Sequence, residues 1–453
     1  MIVFETSLFS FSSSSILPSN SGFVFLSICF IILAISYVRE IYNLPNQLTL
    51  FENQEYYYNF KSPFTVNIQA DNKDMLIFES EDARIGSSYY NLSDPIMFKA
   101  KKMGRVKLNM RLFGLIPLKT LNVDIVPYKE LVACGNTIGV KLKINGILVI
   151  GLSEVETINK ESLLPARESG IKTGDLIIEV NDRKVDSIDD LKREVEGSNG
   201  ESIQVKYKRD NTFNIIRVKP VISIEDNKYH LGMWVRDSTA GIGTLTFYDP
   251  KSNNFGALGH GITDIDTGTL MPVEKGEIIE SNILAIQKGR QGSPGELKGI
   301  LIEDGEDLGE IDTNCEYGIY GRLNEAACDR FPNKIYPIGL RNEVKVGPAV
   351  ILANVDGKTV QEYSIEIVKL SQKSTSGSKG MIIKVTDKRL LEATGGIVQG
   401  MSGSPVVQDG KLVGAVTHVL VNDPTRGYGI FIEWMVKNIV VEGVEKKVVN
   451  YSR

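Results

Sequence analysis

Cysteine and histidine are scarce in this chain, and its charge is nearly balanced. The 453 residues include 4 cysteines and 3 histidines, with 51 basic against 56 acidic residues. So few cysteines exclude a disulfide framework, and so few histidines argue against a His-rich metal site. A net charge of −5 gives no electrostatic reason to expect a nucleic-acid partner. We therefore predict neither a metal site nor nucleic-acid binding.

The cysteine spacing also lacks a zinc pattern. Cys134, Cys315 and Cys328 are separated irregularly, with no C-x-x-C pair among them. A disulfide between Cys315 and Cys328 is one possible pairing. Because the chain is poor in cysteine, we expect these two residues to be buried free thiols instead.

Long uncharged stretches are also rare, and one stands near the N-terminus. The 17 residues from Gly22 to Val38 carry no charge and are followed by Arg39 and Glu40. As a helix, at ~1.5 Å per residue, they would span about 26 Å, the lower limit for crossing a membrane. We expect residues 22–38 to be a membrane anchor, with a cleaved secretory signal as the alternative. The Ser-rich tail, residues 1–21, has no Lys or Arg that would mark a signal peptide.

Residues 55–128 alternate apolar and polar side chains in short segments. Pro63, Gly104 and Pro117 interrupt these segments, which is typical of strands joined by turns. No polar constellation stands out, so we predict a small β module that serves as a spacer.

Residues 131–220 carry a more specific pattern. Asn145-Gly146 between two alternating runs predicts a β-hairpin, and Ser187 with Asp190 three residues later predicts a capped helix. The stretch "ARESGIKTGDLIIEVNDRKVDSIDDL" resembles a PDZ domain. PDZ domains add a peptide strand to a sheet edge and capture its carboxylate. The resemblance implies that Ile138, Gly139 and Val140 form the capture loop and that Leu191 belongs to the opposite helical wall.

Residues 231–453 are rich in short strands and glycine turns, which predicts a barrel or sandwich. Within them, "GMSGSPVVQDGKLVGAVTHV" from Gly400 resembles the nucleophile segment of trypsin-like serine peptidases. The predicted fold is therefore mainly β: a membrane helix, a small β module, an α+β PDZ domain and a C-terminal trypsin-like two-barrel serine peptidase domain.

The nucleophile in this segment is predicted to be Ser402. Ser404 would point to the opposite side of an extended segment, and Ser293 lacks the following strand pair. The N–H groups of Gly400 and Ser402 are the expected oxyanion donors. Acyl transfer of this kind needs no cofactor, and none is predicted.

A serine nucleophile requires a base and an acceptor that orients it. His260, in the glycine-rich turn "FGALGHGITD", is the better base, because His418 lies in an apolar strand and His230 in a polar linker. His418 is expected to be a core or ligand-lining residue, and His230 to be solvated. For the carboxylate, Asp387 ends a strand and leads on spacing, with Asp264 and Asp266 as alternatives.

The order of these motifs resembles one family. In this order, a membrane segment, a PDZ domain, "GALGHGITD", "IVQGMSGSPVVQDGKLVGAVTHVLVNDP" and "GYGIFIEWM" are similar to the stage IV sporulation protein B peptidase of endospore-forming bacteria. This resemblance implies that His260, Asp387 and Ser402 form the catalytic triad. Met401 stands where trypsin-like zymogens have an activating aspartate, so control of activity must have another origin, with the PDZ domain as the leading candidate.

The resemblance also implies a biological role. Such a protein is a sporulation serine endopeptidase that cleaves its own N-terminal segment and then a membrane-bound regulator of an intramembrane metalloprotease, which triggers late mother-cell sigma factor activation. It would be membrane-anchored or secreted, in the space between the forespore and mother-cell membranes. The stretch "LPNQLTLFENQEYYY" is the expected region of self-cleavage. Two alternatives remain: a membrane-tethered PDZ scaffold with an inert peptidase-like domain, and a quality-control PDZ protease.

Overall fold

The computed structural model describes residues 20–80, 89–210, 212–302, 307–357, 359–371 and 377–439. The chain divides into two compact units, residues 1–127 and 128–453. Residues 1–19 of the predicted tail lie outside the described residues.

The first unit contains a helix and two small sheets with a shared core. One sheet has the order β1-β8-β7-β3-β5 and the other β2-β6-β4. Along β7, Val106, Leu108 and Met110 are buried while their neighbours are exposed, as expected for a strand with one face on a core. The elements are α1 Asn20–Asn43, β1 Gln47–Phe51, β2 Glu55–Tyr58, β3 Thr65–Ala70, β4 Leu76–Ser80, β5 Tyr89–Asn91, β6 Ile96–Ala100, β7 Gly104–Leu112 and β8 Ile116–Val126.

Two predictions for this unit need correction. The β module begins at β1, before residue 55, because β1 pairs in parallel with β8. The predicted membrane anchor at residues 22–38 lies within α1, which continues through Arg39 and Glu40. In the described parts of the chain, no helix is both long and apolar enough to cross a membrane.

The second unit begins with two strands and a PDZ-like set of elements. The elements are β9 Glu130–Ala133, β10 Thr137–Leu152, β11 Val155–Glu156, β12 Ser162–Leu163, α2 Pro165–Glu168, β13 Leu176–Val180, β14 Arg183–Lys184, α3 Ile188–Gly197, β15 Ile203–Arg209, β16 Thr212–Val218, β17 Val221–Ile222 and β18 Tyr229–His230. The predicted cap of α3 is confirmed, since the Ser187 hydroxyl accepts a hydrogen bond from the Asp190 N–H (3.1 Å).

A six-stranded barrel follows, closed in the order β10-β21-β24-β25-β20-β19. Its elements and those attached to it are β19 Met233–Tyr248, β20 Asn254–Ala257, β21 Val273–Ile279, β22 Ser281–Gln287, β23 Glu296–Leu301, β24 Gly309–Cys315, β25 Gly318–Leu323, α4 Glu325–Cys328 and β26 Ile335–Pro337.

A second closed barrel has the order β27-β28-β29-β32-β31-β30. Its elements are β27 Gly347–Ala353, β28 Gln361–Leu370, β29 Met381–Val385, α5 Lys388–Thr394, β30 Pro405–Gln408, β31 Lys411–Val419, β32 Arg426–Phe431 and α6 Ile432–Val436. The prediction of two barrels is therefore confirmed. The four cysteines are free; Cys315 and Cys328, which were expected to be buried thiols, are half-buried.

The PDZ elements are inserted into the first barrel rather than placed before it. The expected hairpin at Asn145-Gly146 is wrong: β10 passes through both residues as one strand. Gly146 has φ +115°, and the pairing with β19 shifts register between Lys143 and Leu148, which marks a bulge. Before this bulge β10 belongs to the barrel, and after it β10 pairs with the PDZ strand β13.

Because Gly139 lies in the barrel part of β10, a bulky residue there should disturb the packing of the barrel. A Cβ there would lie 2.6 Å from Leu301 Cδ2 and 2.8 Å from Ile279 Cγ1, so Gly139→Val should overpack the barrel by about 1–3 kcal/mol. Gly241→Ala, one pair along on β19, is the matched control because nothing lies within 4 Å of the added carbon. We expect only the first change to lower the thermal unfolding midpoint. Equal midpoints for the two variants would contradict the barrel position of Gly139.

Candidate active site

Ser402 lies in the turn that enters β30, at the junction of the two barrels. Gly400 and Gly403 on either side have φ +96° and +99°, a region that favours glycine. A Cβ on Gly403 would overlap the carbonyl oxygen of Thr244 in the first barrel. The glycines therefore let the nucleophile turn pack directly against the backbone of the other barrel.

The two rival serines occupy other environments. Ser404 is fully buried, and its hydroxyl donates to the Met401 carbonyl (2.8 Å). Ser293 is exposed in a separate loop. Ser402 is half-buried, and its hydroxyl donates to the Thr417 carbonyl on β31 (2.7 Å).

The N–H groups of Gly400 and Ser402 are oriented by the carbonyls of their own peptide planes. Gln399 O accepts a hydrogen bond from an amide of β23 (2.9 Å), and Met401 O accepts one from the Ser404 N–H (3.0 Å). Because a trans peptide is planar, the hydrogen bond that holds each carbonyl also fixes the direction of the N–H in the same peptide. Gln399 O shares a peptide with the Gly400 N–H, and Met401 O shares one with the Ser402 N–H. Within the described chain, neither N–H donates to a protein acceptor. This arrangement suits an oxyanion.

Thr244 joins the first barrel to this turn, a contact that the sequence pattern does not predict. Its hydroxyl donates to Gly400 O (2.8 Å) and its N–H donates to Ser402 O (3.0 Å). Its side chain is buried. A threonine in an apolar strand pattern carries no local signal of a partner 156 positions away.

His260 follows β20 in a turn that packs on the second barrel. A Cβ on the preceding Gly259 would approach Thr417 Cγ2 and Ile430 Cγ2 to 2.9 and 3.0 Å, so only glycine permits this contact. Thr417 is also the residue whose carbonyl accepts from Ser402. The structure therefore brings His260 and Ser402 to the same segment of β31.

The ring of His260 is held in one tautomer. Its Nδ1 lies 2.8 Å from the Gly261 carbonyl, which can only accept, so Nδ1 carries the proton and Nε2 is free to act as a base. Burial lowers the pKa of His260 below its usual 6.5, and the Gly261 carbonyl partly offsets this effect. His260 is thus neutral at pH 7.

His418 lines the same site, as expected. Its ring lies against that of His260, with centroids 4.7 Å apart and planes inclined by 35°. Burial, followed by the charges of His260 and Lys379, lowers the pKa of His418 to about 4. Its Nδ1 is buried without a hydrogen-bond partner among the described residues. His230, in contrast, is exposed and contacts Asp226, as expected of a solvated residue.

Asp387 does not meet His260 in this structure. It caps α5, accepting from the Arg389 N–H (2.9 Å) and the Ser364 N–H (3.2 Å), and it forms an ion pair with the Arg389 guanidinium (2.8 Å). The Arg389 contact is the largest cause of a pKa lowered to about 2. Asp387 is therefore ionised, but its partners are those of a helix cap.

Register shows how far Asp387 lies from the histidines. Tyr428 in β32 pairs with His418 on one side and with Ile382 in β29 on the other. Asp387 is five residues beyond Ile382, or about 16 Å along the strand direction. The triad implied by the resemblance is not assembled here, and Gly261 O rather than a carboxylate contacts His260.

The loop that follows His260 has its own support. Asn314 on β24 accepts from the Ile262 N–H (2.8 Å) and donates to the carbonyls of Ile262 and Met271 (2.8 and 2.9 Å). Asp264, a sequence candidate for the triad, uses both of its oxygens for contacts around this loop. Among the described residues, no group of three or more His, Cys, Asp or Glu could hold a metal ion.

The predicted peptide-capture residues of the PDZ domain lie elsewhere. Ile138, Gly139 and Val140 belong to the barrel part of β10 and pair with β19, and Gly139 and Val140 also pair with β21 on the other edge. No strand edge is left there for a peptide, so this prediction is wrong. Leu191 is buried in the PDZ core together with Val195.

An unpaired strand edge exists in the first residues of β19. Residues 233–236 pair with β10 on one side, and no described strand pairs with the other. The Asp237 side chain accepts from Ile188 N–H at the start of α3 (3.0 Å), which places the helix beside this edge. Gly232, just before β19, has φ +71°. In the sequence, "HLGM" before an apolar strand is the pattern that could have indicated this edge.

Comparison with known families agrees with this architecture. Residues 227–436 match the model of the SpoIVB peptidase S55 family, and residues 154–209 match a PDZ domain model. This chain carries a SpoIVB-type S55 peptidase domain. The S55 match, together with the PDZ domain, supports a serine peptidase of the sporulation class.

Two further comparisons add little. No curated protein matches the chain. The PDZ domain of an SdrC-like protein from Listeria monocytogenes, known from a crystal structure, is similar at 17% identity, with 20% of this chain and 90% of that chain covered and a TM-score of 0.17.

The contacts of His260 predict how reaction of the S55 nucleophile depends on pH. A fluorophosphonate probe labels an activated serine, so its rate should rise with pH through the pKa of His260, with a midpoint below 6.5. A carboxylate bonded to His260 would stabilise the imidazolium and move the midpoint above 6.5.

Asp387→Asn is the matched variant, because asparagine also caps helices. We expect its midpoint and labelling rate to stay close to those of the unchanged protein. A midpoint above 6.5, together with a loss of ~10⁴-fold in a folded Asp387→Asn variant, would instead show that Asp387 pairs directly with His260.

Proposed function

We propose that this chain is a serine endopeptidase in which Ser402 is the nucleophile and His260 the general base. The observation that carries the proposal is that both residues meet one segment of β31, beside the two unbonded N–H groups of Gly400 and Ser402. Ser402 donates to Thr417 O, and the His260 ring lies against that of His418. This set supplies the nucleophile, base and oxyanion donors that acyl transfer requires.

The reaction would follow from these positions. Rotation about χ1 frees the Ser402 hydroxyl from Thr417 O, and Oγ attacks the carbonyl carbon of the scissile peptide while His260 Nε2 takes its proton. The N–H groups of Gly400 and Ser402 bind the oxyanion. His260 returns the proton to the leaving amine, and water then releases the acyl group by the same route.

Asp387, the third residue implied by the family resemblance, has a different part in this proposal. By capping α5 it orients the segment that runs from this helix to Ser402. We therefore assign Asp387 as a positioning residue of the S55 domain and the Gly261 carbonyl as the group that orients His260.

The biological part of the proposal rests on the resemblance. The peptidase would cut its own N-terminal segment and then a membrane-bound regulator of an intramembrane metalloprotease, leading to sigma factor activation. It would act between the forespore and mother-cell membranes. Within residues 44–58, Leu48, Leu50 and Phe51 are buried in the first unit, whereas residues 53–55 are exposed. Self-cleavage in this stretch would fall in the exposed turn.

One observation favours the alternative of an inert peptidase-like domain on a PDZ scaffold. The Ser402 hydroxyl donates to a carbonyl, and the carboxylate of the implied triad is distant. The quality-control protease has no such support, because the PDZ domain is inserted in the first barrel.

Replacing Ser402 decides between enzyme and scaffold. We expect Ser402→Ala to abolish fluorophosphonate labelling and N-terminal shortening seen by mass spectrometry, because Oγ is the attacking atom. Ser293→Ala, which removes the exposed rival, is the control and should behave as the unchanged protein. Absence of both labelling and shortening in the unchanged, folded protein would support the scaffold, whereas labelling that persists in Ser402→Ala would show that the nucleophile is another serine.

For the PDZ domain we propose a groove between α3 and the unpaired edge of β19 at residues 233–236. An extended peptide would add there as a strand. The N–H groups of Leu231 and Gly232 donate to no acceptor in the described chain and would receive the terminal carboxylate. Trp234, which is 65% exposed, would contact the peptide side chains.

Peptide selection tests this groove. Peptides with free C-termini, selected from a random library on the Ser402→Ala protein, should bind more tightly than the same sequences with a C-terminal amide, because the amide lacks the charge. Fluorescence of Trp234 should change on binding. Equal affinity of acid and amide forms would argue against carboxylate capture at Gly232.

A further inference from the structure

The loop that follows His260, residues 261–271, is organised around a buried carboxylate. The side chain of Asp264 is fully buried, and its Oδ1 accepts from the N–H groups of Asp266 (3.1 Å) and Thr267 (2.9 Å). Its backbone N–H and carbonyl bond Thr269 and Gly268 (both 2.8 Å). We call residues 261–271 the His260 loop. Its shape depends on Asp264 staying in place, since a buried charge needs a partner.

That partner is Arg236. One guanidinium nitrogen contacts Asp264 Oδ2, and another lies 3.1 Å from Asp266 Oδ2. The Arg236 side chain is mostly buried, so this pair is better shielded from solvent than a surface ion pair. Loss of the arginine would leave Asp264 buried without its counter-charge, which is the costly case.

Arg236 stands at the point where β19 passes from the PDZ domain into the barrel. Val235 before it packs on the PDZ core, and Asp237 after it accepts from Ile188 at the start of α3. Arg236 itself is opposite Leu148, the residue at which the register resumes after the bulge. It is also the last residue of the stretch of β19 that pairs with the PDZ part of β10.

We propose that Arg236 is a positioning residue through which the PDZ edge of β19 sets the conformation of the His260 loop. The inference rests on the proposed role of His260 as base. A strand added at residues 233–236 restricts the backbone of Arg236, and the ion pair with Asp264 transmits this restriction to the loop. The mechanism requires only one continuous strand and one side-chain contact.

Hydrogen exchange measures the ion pair without requiring activity. In a Ser402→Ala background, Arg236→Gln should raise amide exchange of residues 261–271 several-fold, because Asp264 loses its partner. Arg236→Lys keeps one charged contact and should restore part of the protection. Arg217→Gln, an exposed arginine on β16, is the control and should leave the loop unchanged. Unchanged exchange of the loop in Arg236→Gln would overturn the proposal.

The pH profile separates positioning from a general loss of stability. With Ser402 present, Arg236→Gln should slow fluorophosphonate labelling by about tenfold to a hundredfold and displace its pH midpoint, because the base is misplaced. Arg236→Lys should recover part of both. If Arg236→Gln lowers the melting temperature but leaves the labelling rate per folded molecule and its pH midpoint unaltered, the positioning role is contradicted.

Asp264→Asn provides a second route should Arg236→Gln fail to fold. Asparagine keeps the Oδ1 acceptor for the two loop amides but removes the charge, so it should reproduce the rise in exchange. If exchange stays unchanged in Asp264→Asn, the ion pair does not position the loop. Both exchange experiments remain informative even if no labelling of Ser402 occurs, and so failure of this inference is distinguishable from failure of the proposed function.

Discussion

The pairing of β10 with β19 is the constraint on which the rest of the second unit depends. These two long strands close the first barrel in one half and form one side of the PDZ sheet in the other, where β19 is the edge strand. Because each strand is continuous, the PDZ domain is joined to the barrel by two hydrogen-bonded strands rather than by a linker. The Gly146 bulge allows one strand to serve both sheets, since it changes the direction and register of β10.

Close backbone contacts between the barrels depend on residues without side chains. Gly259 approaches β31, and Gly403 approaches Thr244, so the turns that carry His260 and Ser402 each pack on the opposite barrel. Thr244 supplies the polar contacts across this junction. The proposed base and nucleophile therefore come from different barrels, and the barrel contact itself determines their separation.

The sequence predicted elements whose signals are local. The cap at Ser187, the glycine turn at Ser402 and the histidine turn at His260 are of this kind, because neighbouring residues determine them. The hairpin at Asn145-Gly146 failed because the same pair also suits a bulge with positive φ, and only pairing with β19 distinguishes the two. The contacts of Thr244, Asn314 and Arg236 were not predicted, because their partners are distant in sequence and their residue types are common in strands.

Asp387 illustrates how a family resemblance and a structure constrain each other. The resemblance assigns it to the triad, yet Asp387 before an apolar helix that ends at Gly395 also has the local pattern of an N-cap, and the structure has this cap. To reach His260, the carboxylate would have to leave Arg389 and Ser364, uncapping α5 just before the nucleophile turn. The proposed mechanism instead keeps the cap and rotates only the Ser402 side chain, because hydrogen bonds to the carbonyls of Gln399 and Met401 already orient the N–H groups of Gly400 and Ser402.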